Sequence, residues 1–147
     1  MTNAEALETK PSRRVWRRIG AVLAGFLVIA ILDTTIDVIM HKTGIYPPWF
    51  QPMRASLWLL AIGYRTIDGI IGGYVVARLA PDRPVAHALV LGVIGFVLST
   101  AAVIGTWKQG PEFGPKWYPL TLVAIALPCA LMGGLLRARQ LGAQADD

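Results

Sequence analysis

Cysteine occurs once in this chain, at Cys129. A single thiol excludes an internal disulfide and every Cys-x-x-Cys metal or redox motif. Cys129 lies in an apolar run and reads as a small packing residue. Histidine is nearly as scarce, present only as His41 and His87. Charge is thin: Asp, Glu, Lys and Arg make up 16% of the residues, against about 25% in ordinary soluble domains. The signatures of common catalytic centres are missing as well. There is no G-x-S-x-G, no H-E-x-x-H and no glycine-rich phosphate loop. Nothing points to an enzyme, and no cofactor is expected.

What the chain has instead is apolar excess. It is 54% hydrophobic, with a mean hydropathy of +0.52. One domain fits 147 residues, but a core that small cannot hide so much apolar surface. A bilayer removes the difficulty by acting as the solvent. Four runs are long enough to cross it, at about 19–40, 56–79, 85–106 and 117–136, since about 20 residues at 1.5 Å each span the hydrocarbon core. In lipid each run must satisfy its own backbone groups and is therefore a helix. The connections "HKTGIYPPWFQPMRA", "APDRP" and "WKQGPEFGPK" are short. The expected fold is thus an all-α, up-down four-helix bundle over 15–139. A flexible tail is expected at 1–14 and a second tail at 140–147.

The position of the charges sets the orientation. Lys10, Arg13, Arg14, Arg17, Arg18, Arg78, Arg83, Arg137 and Arg139 fall on one side, nine in all. Lys42, Arg54, Lys108 and Lys116 fall on the other, four in all. Positive-inside logic puts both termini in the cytoplasm. The net charge of +5 is therefore a topology signal, with no nucleic-acid partner expected and the lipid bilayer as the main one.

The segment "AILDTTIDVIMH" places two carboxylates near the outer end of the first run. Asp33, Asp37 and His41 follow one another at steps of four and share a helix face. The second run carries "GYRTIDGIIGG". Counted from the outer ends, Asp33 lies about 10 Å deep, Arg65 about 13 Å and Asp68 about 18 Å, with Asp37 and His41 nearer the interface. Ionisable groups inside a span face the interior and find partners. Asp33 is therefore expected to pair with Arg65, and Asp68 to supply the second carboxylate of the group. Asp37 and His41 are explained by solvation at the interface, or as the mouth of a polar cavity. Asp33, Asp37 and His41 also form a carboxylate, carboxylate, imidazole series. One helix seldom completes a metal site, His87 stands at the far end, and no metal is expected.

Small residues mark packing faces. Gly69 and Gly73 form a G-x-x-x-G pair, and Gly92, Gly95 and Ser99 form a second stripe. They suit helix packing inside the monomer or a homodimer face. Pro128 is expected to kink the fourth helix. The outer connections are rich in proline and aromatics: Tyr46, Trp49, Phe50, Trp107, Trp117 and Tyr118 suit an interfacial belt, or a lid over the acidic group. "GGYVVARL" and "GGLLRARQ" echo each other, as a duplicated hairpin would.

"GIYPPW", "YRTIDGIIGGYVVARLAPDRPVAHALVLG" and "FGPKWYPL" together resemble a set of uncharacterised small bacterial four-span membrane proteins. The likeness covers all four spans. It implies a bacterial inner-membrane location and supplies no activity. Small multidrug exporters also have four spans and an acidic residue in helix 1, but lack this chain's charge bias and long Pro-rich outer loops. The expected function is a structural or accessory inner-membrane protein with an intramembrane Asp/Arg/Asp group. The alternative is a small ion- or proton-coupled transporter or channel that uses an outer-half acidic cavity.

Overall fold

The computed structural model describes residues 3–144. Four helices follow one another: α1 (Asn3–Lys42), α2 (Ala55–Leu79), α3 (Pro84–Thr106) and α4 (Trp117–Ala143). A 3-10 turn at Pro111–Phe113 sits in the last connection. All four helices are long and apolar enough to cross a membrane. The chain has the architecture of a multi-pass membrane protein, as its composition requires.

The boundaries follow local chemistry. α2 stops at Leu79 because Ala80 precedes Pro81 and is extended, at ψ 131°. Pro84 opens α3 at its first position, where the missing N–H costs nothing. α4 runs unbroken through Pro128. Two helices are longer than their apolar runs. α1 reaches back to Asn3 and takes in most of the segment expected to be a tail, and α4 continues to Ala143 beyond the expected 136. Residues 1–2 and 145–147, the tips of the two expected tails, lie outside the described residues.

The helices alternate in direction. Gly25 of α1 faces Gly72 and Val76 of α2, while Asp37 faces Tyr64 and Arg65, so α1 and α2 are antiparallel. Gly92 and Gly95 of α3 meet Leu127, Ala130 and Ala126 of α4 in the same antiparallel sense. α2 and α4 run parallel, from Trp58 beside Tyr118 to Tyr74 beside Gln140. α2 occupies the centre, while α1 and α4 hardly touch.

The interior is built from small residues. Ala21, Ala61, Val76, Ala77, Ala88 and Ala130 are buried, and Val76 is the largest side chain fully enclosed. Leu27, Ile31, Leu59, Leu98 and Ile104 point outward and are at least half exposed. Such an inside-small, outside-large pattern suits lipid, where close backbone approach replaces the hydrophobic drive. The closest approach is between α2 and α4. A Cβ at Gly73 would strike the backbone of Ala130, and one at Gly133 the backbone of Ile70, Gly73 and Tyr74. Gly69 sits on Cys129 and Gly92 on Ala130. The glycine faces expected from sequence are thus engaged within the chain. The crossing also joins the two echoed segments, "GGYVVARL" and "GGLLRARQ", on parallel helices.

At the end that carries the basic excess, Arg18 and Asp82 pair and tie α1 to the α2–α3 turn. Arg18 Nε donates to Asp82 Oδ1 at 3.1 Å. The Asp82 carboxyl is held below its usual range by that hydrogen bond, with the Arg18, His87 and Arg14 charges adding to it and slight desolvation opposing.

Candidate functional site: an arginine between two cavities

The centre of the site is Arg65, three-quarters buried on α2. Its Nη1 donates to Asp33 Oδ2 at 2.8 Å and its Nη2 to Asp37 Oδ2 at 2.7 Å. One guanidinium therefore grips two carboxylates a helical turn apart on α1. The planar fork of arginine permits this, and a lysine ammonium does not. Tyr64 donates its hydroxyl to Asp37 Oδ1, so both oxygens of Asp37 are occupied. The pairing of Asp33 with Arg65 is as expected from depth.

Two expectations are corrected. Asp37 is a full member of the group, not an interfacial bystander. Asp68, expected as the second partner of Arg65, forms no ion pair with it. Side-chain direction explains both. A helical side chain leans toward its own N-terminus. For α2 that is the end bearing the proline-rich connections, the outer end expected from the charge bias, so Arg65 reaches outward to the level of Asp37. For α1 it is the inner one, so Asp37 leans down to meet it. Asp68 is left one turn deeper, at 3% exposure the only fully buried charged residue among those whose burial is described. The helix register sets its carboxyl opposite Asp33, between the Asp33–Arg65 and Ile29–Gly72 contacts.

The group is incompletely satisfied. Asp33 Oδ1, Asp68 Oδ2 and Arg65 Nε are buried and have no hydrogen-bond partner within the protein. Buried polar atoms are nearly always paired, so each orphan calls for an explanation.

Two cavities meet this group. The outer one, about 230 Å³, is a vestibule. Asp37, Tyr64 and Arg65 form its floor. Tyr46, Trp49, Phe50 and Met53 of the first outer connection wall one side; Glu112, Phe113 and Tyr118 wall the other, with Trp58 between. The inner one, about 140 Å³, lies between all four helices, where α1 and α4 stand apart. Asp33 and Arg65 border it, with Gly69, Gly95, Ser99 and Cys129 among its other walls. Arg65 lines both.

His41 belongs to the vestibule wall. Its ring stacks on Trp49 with centroids 3.5 Å apart and meets Tyr46 edge-on at 5.3 Å. Its Nδ1 lies 2.7 Å from the Asp37 carbonyl oxygen and must carry a proton to donate there. The aromatic residues divide between two settings: Trp49, Phe50, Trp107 and Trp117 are exposed, whereas Tyr46 is 3% exposed. Burial pushes the Tyr46 phenol above its usual value; the neighbouring Tyr64 hydroxyl and Arg65 oppose that, and Asp37 adds to it. Residues of both connections thus serve as vestibule walls. Gly114 makes this possible, because at φ +88° it lies flat on the Trp58 ring, where a Cβ would collide.

Sequence reading missed Tyr64, Trp58 and Glu112. Tyr64 had a signal, since it adjoins Arg65 and was free to flank the same α1 face. Trp58 and Glu112 had none, because their roles depend on the path of irregular loops. Comparison with known proteins finds no matching family model, curated protein or solved structure.

Proposed function

We propose that this chain is a small ion- or proton-coupled transporter or channel of a bacterial inner membrane, with both termini cytoplasmic and the vestibule open to the outside. One observation carries the reading: Arg65 lines both the outer vestibule and the deeper cleft between the four helices. A charged group that bridges two helices and borders two cavities supports the reading of a gate. Opening it means releasing Asp33 and Asp37 from Arg65, which frees α1 from α2 on the outer side alone. Intramembrane ionisable residues define such ion paths. The orphan oxygens of Asp33 and Asp68 supply acceptors on the inner side of the gate.

A second reading, a structural or accessory protein with a latch, has its own support. Arg65 clamps α1 to α2 through two ion pairs, and a fully paired clamp has no need to move. The uneven satisfaction of the group favours the gate, since a pure latch gains nothing from buried orphan atoms.

The test is flux. Purified protein in sealed vesicles should dissipate an imposed pH or monovalent-cation gradient faster than empty vesicles do. Folded protein that leaves every such gradient as stable as in empty vesicles overturns the gate and leaves the latch.

A further inference from the structure

The buried end of the charge group has an excess of acceptors. Asp68 is 3% exposed, and its Oδ2 has no partner. Asp33 Oδ1 is equally buried and equally unpaired. The helix register sets the two opposite each other: Asp33 faces Arg65 on its outer side, and the next α1 turn inward, Ile29, already meets Gly72. Two carboxyl groups thus face each other across the α1–α2 interface, each with an unpaired oxygen shielded from water. The nearby charges do not balance them. Arg65 is already held by Asp33 and Asp37, and Tyr64 donates only to Asp37. α4 brings Tyr118 near Arg65 and Cys129 to the chamber wall, neither of them cationic. α3 contributes Leu91, Gly92, Gly95 and Ser99 to that wall, none of them titratable.

We propose that Asp33 and Asp68 form a proton-binding pair, one hydrogen shared between Asp33 Oδ1 and Asp68 Oδ2. Carboxylates this close cannot both stay ionised, which is the general behaviour of acidic dyads. A metal ion would need more ligands than two carboxyl groups offer. A proton needs neither. It arrives from water as H⁺, forms one O–H bond and breaks none. The formal charge of Asp33, Asp37, Arg65 and Asp68 together then rises from minus two to minus one. The pair lies on the inner side of the Arg65 gate, so this inference names the coupling ion of the proposed function and rests on that reading for its role, though not for its existence.

Infrared spectroscopy of the full chain in lipid tests it. The wild type should show, at neutral pH, the carbonyl stretch of one protonated carboxylic acid, shifted on exchange into deuterium oxide. Asp68→Asn should lose that band and still fold, because the Asn amide donates the bond to Asp33 that the proton had supplied. A folded wild type without the band overturns the proposal, and so does a band that survives in Asp68→Asn. Proton flux is read separately on the same sample. A band that behaves as expected in a protein without flux supports the pair and overturns the transport reading.

Discussion

Tyr64 donates its hydroxyl to the one oxygen of Asp37 that Arg65 leaves free. Asp37 is therefore saturated, while Asp33, on the same helix face, keeps an unpartnered Oδ1. The two carboxylates share an arginine and differ in what surrounds them. That difference separates a structural anchor from a responsive group. It also reverses the ranking that depth alone suggests, in which only Asp33 lies level with Arg65.

Asp37→Asn should therefore destabilise the protein at least as much as Asp33→Asn. The first change weakens a salt bridge and turns an amide N–H or a poorer acceptor toward Tyr64. The second weakens one salt bridge, and its amide can still donate to Asp68 where the shared proton did. Thermal melting of both variants in one detergent checks this, and a much larger fall for Asp33→Asn would contradict it.

Tyr64→Phe removes one hydrogen bond to a charged group. Such bonds contribute about 1.5 to 3 kcal/mol, and partial exposure of Asp37 puts the loss near the lower figure. Arg65→Leu should cost more, about 3 kcal/mol, because it strands two carboxylates at once. Arg65→Lys should fall between wild type and Leu, since an ammonium is a point charge and cannot fork to both. Chemical or thermal unfolding of the three variants orders them.

Glycine substitutions separate close packing from mere helix composition. Gly133→Ala forces α4 off the backbone of α2 and should cost about 1 to 3 kcal/mol, the usual range for overpacking. Gly63→Ala and Gly105→Ala meet nothing within 4 Å and should be neutral or slightly stabilising. Equal melting shifts for Gly133→Ala and Gly63→Ala would mean that α2 and α4 are not in contact.

The Arg18–Asp82 pair gives a signed pH dependence. A depressed carboxyl contributes stability above its unfolded value and loses it as pH falls. Any difference between wild type and Asp82→Asn should thus be constant from neutral pH down toward the ordinary 3.8 and disappear below it. It should also be small, because the pair is about two-fifths exposed and screened by water. A difference that grows on acidification would contradict the pairing.

The spans were legible because bilayer thickness imposes a length that composition reports directly. α2 begins at Ala55 against an expected Ser56, and α3 at Pro84 against an expected 85. The ends of α1 and α4 were not, since helix beyond the apolar run leaves no hydropathy edge. Asp33 and Arg65 could be matched by counting rise per residue. The places of Asp37 and Asp68 could not, because counting locates Cα atoms while the charges sit several bonds away. Arg65 leans outward and the α1 aspartates inward, which shifts the pairing by a turn. The vestibule was legible only as a possible lid, since its walls follow proline turns without a period. Gly133 was visible as an echo of Gly72, but its role needed the helices to be known as parallel.

Whether the charge group moves ions or only joins helices is best measured on a variant without it. Because Arg65 holds both aspartates, the replacement that removes the whole clamp is triple, Asp33→Leu, Asp37→Leu and Arg65→Met, with Asp68 left to take up a proton of its own. Apolar packing of similar volume commonly matches or exceeds a buried ion pair in stability, so this variant should melt close to wild type. In sealed vesicles it should lose the proton or cation flux of the wild type. A triple variant that melts like wild type and carries the same flux would contradict the gate at Arg65.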